Sequence, residues 1–171
     1  MNAENTTIVS CFRWGCTTMI MTGIGLAILV WSIIIMFQTM IETKFDIIIG
    51  GITIAILILI YLFTFCYAPR YLSIDNQKIT LKRMVGSFEI PLTTICSIQV
   101  IPRAMLRRSI RCGNGGLFGF YGFFSNKTIG SYTMYATELK HLIMVKTTRK
   151  TYVFSCRKGE AFKTFFDNCK K

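Results

Sequence analysis

Apolar residues come first in two unbroken blocks, then in short alternating runs, and last at helical spacing. No charged side chain occurs from Trp14 to Ile41, nor from Ile47 to Pro69. A bilayer core of about 30 Å needs about 20 apolar residues at about 1.5 Å each. Each block therefore predicts a membrane-spanning helix, at about residues 17–37 and 47–67. Pro69 closes the second, because proline lacks an amide donor and restricts the residue before it.

Beyond Pro69 the period becomes two. Tyr71–Ile74 leads into Asp75-Asn76-Gln77, a turn signal, and Lys78–Lys82 alternates strictly, as a strand with one buried face does. Gly86 precedes the alternating run Ser87–Pro91, and Thr94–Ile101 is β-branched and apolar. Ser131–Ala136 predicts another strand. Leu142–Lys146 and Thr151–Cys156 flank Thr147–Lys150 as a hairpin. After Arg157, Ala161, Phe162, Phe165, Phe166 and Cys169 recur at three and four, the mark of an amphipathic helix. The expected fold is a membrane helical hairpin in residues 1–68, then a small β-barrel in residues 69–171 capped by a terminal helix.

Charge adds an orientation. Net charge is +12, and residues 70–171 hold 18 Lys or Arg against five acids, while the first 69 residues are nearly neutral. Arg70, Lys78, Lys82 and Arg83 follow the second span directly, whereas the connection around Gln38–Asp46 carries one cation and two acids. Positive charge beside a span marks the cytoplasmic side, so both termini are expected in the cytoplasm of a cell that places the chain in its inner or plasma membrane. A cleaved signal peptide fits poorly, because MNAENTTIVS holds no cation and the apolar block is too long. Seven cysteines without CxxC spacing suit a reducing compartment, and one histidine supports no metal site.

Two segments stand out as candidate chemistry. Arg103, Arg107, Arg108 and Arg111 lie within nine residues. On a helix, Arg103, Arg107 and Arg111 share a face, and guanidinium forks suit phosphate. The alternative is a solvated loop whose charge only retains the domain inside. From Cys112 to Phe124, five glycines interleave with Phe118, Phe120, Tyr121, Phe123 and Phe124. This run is either an aromatic loop that dips into the membrane interface, with Phe118, Phe120 and Tyr121 as an apolar contact set, or a bent strand whose rings fill the barrel. It lacks GxGxxG and a Walker ending. No paired carboxylates and no GxSxG serine support catalysis, so no catalytic residue and no cofactor are assigned.

The chain resembles a bacterial pleckstrin-homology-like domain protein with a two-helix membrane anchor. The resemblance rests on Tyr71-Leu72-Ser73-Ile74-Asp75, on Gly115–Gly122, on Gly130–Thr137, on the hairpin strand Thr151–Ser155 and on the terminal helix. It implies a strongly bent sheet of about seven strands, closed at one end by that helix, and a binding role of open identity. The resulting expectation is a non-catalytic binding or scaffold module at the cytoplasmic membrane face. Its partners would be the bilayer and either another protein or a second copy. A sensor of anionic headgroups through the arginine cluster is the alternative, and membrane-side nucleic-acid binding is the minor one.

Overall fold

In the computed structural model, residues 7–39 and 44–170 are described. The two uncharged blocks form α1 (Cys16–Thr39) and α2 (Lys44–Tyr67). Both are long and apolar enough to cross a membrane, and their outer faces are bare, with Ile28, Trp31, Phe37, Leu59 and Phe63 all exposed. The connection carrying Glu42 lies outside the described residues. Two glycines mark the contact between the helices. A Cβ on Gly25 would lie 2.7 Å from Tyr61 Oη, and one on Gly50 would lie 3.2 Å from Met36 Cγ. Gly23 and Gly51 face open space.

The helix pair is inserted into a β-hairpin. Residues ahead of α1 form β1 (Ile8–Cys11), which pairs antiparallel with β2 (Pro69–Ile74), Ile8 opposite Ile74 and Cys11 opposite Tyr71. Beyond that ladder, the Phe12 amide donates to the Arg70 carbonyl at 3.0 Å. Only Ala68 separates α2 from β2, so the junction has no linker. β1 escapes a reading by period, because four residues are too few to establish one.

β3 (Lys78–Arg83) and β4 (Ser87–Pro91) complete a sheet ordered β1-β2-β3-β4. The predicted turn at Asp75 forms as its residues require, with the carboxylate accepting the amides of Gln77 and Lys78 at 2.8 and 2.9 Å. The second sheet holds β5 (Ile95–Ile101), β6 (Ile110–Gly115), β7 (Phe120–Asn126), β8 (Gly130–Ala136), β9 (Leu142–Thr147) and β10 (Thr151–Ser155). Its order is β5-β9-β10-β8-β7-β6, antiparallel throughout except for β8 beside β10. It is an open sheet with a terminal helix, α3 (Gly159–Cys169), near β5. This agrees with a PH-like fold, with β1 added to the strands marked from sequence and the glycine-aromatic run forming the hairpin β6–β7 where its strand reading had one bent strand.

Both faces of the second sheet are covered, which explains why Leu142–Val145 is continuously apolar. Ile143, Val145 and Phe154 join Leu72, Leu81 and Phe162 in a core against the first sheet and α3. Leu142, Met144 and Val153 face the opposite way, with Phe120, Phe124, Tyr132 and Met134. The chain between β5 and β6 covers that second core, through Met105 and Leu106.

Candidate functional site

That covering segment carries the arginines. Pro102 leads into one 3-10 turn, Arg103–Leu106, and no longer helix forms. Side chains at its end stop it. The Ser109 hydroxyl donates to the Leu106 carbonyl at 2.8 Å and lies 2.8 Å from the Tyr132 hydroxyl. The Asn126 amide donates to the Met105 carbonyl at 2.7 Å and to Ser109 Oγ at 3.1 Å. Arg108 then takes a left-handed backbone, φ 56°, and Ile110 enters β6. A non-glycine residue holds that conformation at a cost of about 1–2 kcal/mol. The face that Arg103, Arg107 and Arg111 would share on a helix is therefore not built, and the segment is largely a loop. Arg111 sits in β6 opposite Phe124, and its side chain is outside the described ones.

Arg103, Arg107 and Arg108 nonetheless converge on one feature, a cavity of about 310 Å³ beneath the turn. Phe120, Phe124, Met134 and Leu139 line it with apolar surface, and Ser109 and Tyr132 add hydroxyls. All three arginines are exposed, and among the described residues none has an ion-pair partner. The described ion pairs are Lys78–Glu89 at 2.7 Å and Arg157–Glu138 at 3.0 Å. A rim of forked cationic donors above an apolar floor can hold an anionic group attached to an apolar one. No group of three His, Cys, Asp or Glu that could hold a metal occurs among the described residues.

The glycine-aromatic run divides between two places. Phe120 belongs to the cavity floor, whereas Phe118 and Tyr121 turn to the helices. The Phe118 ring meets those of Trp14, Tyr61 and Phe65 edge-on, at centroid distances of 5.9, 5.4 and 5.4 Å. Its amide donates to Thr22 Oγ1 at 3.0 Å. The Tyr121 hydroxyl donates to the Thr64 carbonyl at 2.7 Å, and the Tyr61 hydroxyl to the Thr22 carbonyl at 2.7 Å. Gly113 and Gly122 face one another across β6 and β7, each at a positive φ, where an added Cβ would come within 2.5 and 2.7 Å of the opposite strand. Only glycine permits that approach.

Thr137 is another tie between domain and helices, and the sequence marks it only as the last residue of the Gly130–Thr137 stretch. Its carbonyl accepts the Gly15 amide at 3.0 Å and the Thr18 hydroxyl at 2.7 Å. Its own hydroxyl donates to the Arg13 carbonyl at 2.8 Å, and its amide donates to Ser155 Oγ at 3.0 Å. Beside it, Glu138 is buried and accepts from Arg157 Nε and Nη2 at 3.0 and 3.2 Å. The hydrogen bond from Arg157 holds that carboxyl below its ordinary value of 4.5, against the opposing pull of burial. Burial pushes the Cys156 thiol up, which makes it a core residue and a poor nucleophile.

Comparison with known proteins adds one finding. A family model described as bacterial PH domain matches residues 70–168. No curated protein and no solved structure matches the chain.

Proposed function

The chain belongs to the bacterial PH domain family, and on that premise we propose that it is a non-catalytic binding module, held in a membrane by α1 and α2, whose site is the arginine-rimmed cavity. The domain faces the cytoplasm of the inner or plasma membrane, as the cations Arg70, Lys78, Lys82 and Arg83 beside the end of α2 favour. The ligand is an acidic, partly apolar segment of a protein partner. One observation carries this reading: three exposed arginines, with no ion-pair partner among the described residues, converge on a largely apolar cavity.

Position favours a partner from solution over a headgroup of the same membrane. Successive residues of the hairpin step along the helices towards the domain. Leu117 lies against Gly25, Phe118 against Thr22, and Tyr121 against Thr64 near the end of α2. β7 thus runs away from the helices, and Asn126 at its far end holds the arginine turn. Six residues of strand cover about 20 Å. The Debye length is about 8 Å at physiological ionic strength, so a leaflet attracts charges at that distance only weakly.

The test uses the full chain in phosphatidylcholine nanodiscs and a fluorescent peptide alternating acidic and leucine residues. Binding is expected by fluorescence polarisation, and R107A/R108A is expected to weaken it at least about tenfold, as the loss of two charge-assisted contacts implies. Equal binding by the variant overturns the site. Adding anionic lipid to the nanodiscs is expected to leave the peptide affinity unchanged. Competition by that lipid, relieved in the variant, would transfer the site to the headgroup reading.

A further inference from the structure

The tip of the β6–β7 hairpin lies beside the helices at a level that their lengths place inside the bilayer. Leu117 Cδ1 is 3.0 Å from where a Cβ on Gly25 would stand, and Phe118 is enclosed by Trp14, Tyr61 and Phe65. We propose that residues 115–119 enter the hydrocarbon of the domain-facing leaflet, giving the protein a third membrane element built from a β-turn. The inference rests on reading α1 and α2 as membrane spans.

Helix length decides the depth. The apolar stretches are Cys16–Gln38 and Ile48–Tyr67. If the tip stayed in water, the boundary would lie beyond Gly25 on α1 and beyond Tyr61 on α2. Residues 26–38 and 48–60 would then remain, about 20 Å in each case, short of the roughly 30 Å hydrocarbon core. With the tip submerged, α1 offers about 34 Å and α2 about 30 Å, which suffices. The outer faces agree. Ile20, Ile24, Leu62 and Phe63, at the level of the tip, are all exposed and would otherwise stand in water.

The tip is also chemically prepared for hydrocarbon. Residues 112–126 contain no charged side chain. A turn in lipid must satisfy its backbone polar groups within the protein. Here the Asn114 side chain accepts the Leu117 amide at 3.1 Å and donates to the Leu117 carbonyl, while Thr22 Oγ1 accepts the Phe118 amide. Asn114 and Thr22 thereby take the place of water around Leu117 and Phe118. The ligand of this surface is lipid acyl chain, met on the side of the turn that the helices leave open.

The experiment needs no substitution. Amide spectra of the wild-type full chain are recorded in phosphatidylcholine nanodiscs, once with lipid spin-labelled on the acyl chain and once with a soluble gadolinium chelate. The Leu117 and Phe118 signals are expected to be lost to the lipid label and retained with gadolinium, with Asn126 and Thr128 behaving in the opposite way. Ile28 and Leu59, midway along the helices, provide the reference. Their loss to the lipid label while Leu117 and Phe118 are quenched by gadolinium overturns the embedded tip and leaves the anchor standing. Retention of Ile28 and Leu59 with the lipid label overturns the anchor and the tip together.

Discussion

At the residue scale, Gly25 and Thr137 carry the junction between domain and helices. Gly25 leaves just enough room for Tyr61 and Leu117, and Gly23, two positions earlier and so on the other side of the helix, meets nothing within 4 Å. Gly25→Leu is expected to destabilise the docked domain by about 1–3 kcal/mol through overpacking, and Gly23→Leu is expected to leave it unchanged. Thermal midpoints of the two variants in nanodiscs make the comparison. Thr137→Val keeps the shape of the side chain but removes the donor to the Arg13 carbonyl. A loss of about 1 kcal/mol is expected for one part-buried hydrogen bond removed, read from denaturant unfolding. Glu138 adds a pH dependence whose sign follows from its partner. Its carboxyl is held down by Arg157, so the folded state binds fewer protons than the unfolded one. The stabilisation is complete above the ordinary value of 4.5 and is lost as pH falls through the lowered one. Arg157→Gln is expected to remove this acid-side loss, measured as the thermal midpoint against pH.

At the scale of elements, β1 shows how a short segment escapes sequence reading and still shapes the unit. Four residues carry no period, yet Ile8 packs against the main core and the ladder covers one edge of β2. A soluble fragment of residues 69–171 leaves that edge bare, and bare edges recruit other strands. The fragment is expected to self-associate in sedimentation, and a peptide of residues 7–13 added in trans is expected to return it to monomer. A fragment that stays monomeric without the peptide would show β1 to be dispensable. The arginine segment shows the opposite limit. A helix would have put three of its arginines on one face, but Ser109 and Asn126 end the 3-10 turn that Pro102 opens, and the rest folds across the second core. Proximity in sequence still brought three of the four arginines to one cavity, because the crossing is too short to scatter them.

At the scale of the whole molecule, the helices and the domain are joined twice by chain and, among the described residues, by several further contacts, Arg83 over the Tyr67 ring among them. The chain joins are β1 into α1 and α2 into β2, and side-chain ties include those at Thr137 and at the β6–β7 tip. A domain held at so many points presents a fixed face to a partner. The sequence by itself determined the two apolar spans, the succession of strands and terminal helix, the basic character of the domain and the family resemblance. Those properties are written in composition and in periods of two and 3.6, which neighbouring residues set among themselves. Only the tertiary structure decided which partner each aromatic residue of the glycine-rich run meets. Phe120 and Tyr121 are adjacent, yet a strand sends them to opposite faces, one to the arginine cavity and the other to Thr64. Phe118 finds Thr22, 96 residues earlier in the chain. No local pattern can encode a contact at that separation, because it exists only once the hairpin, the helices and the sheet are packed together.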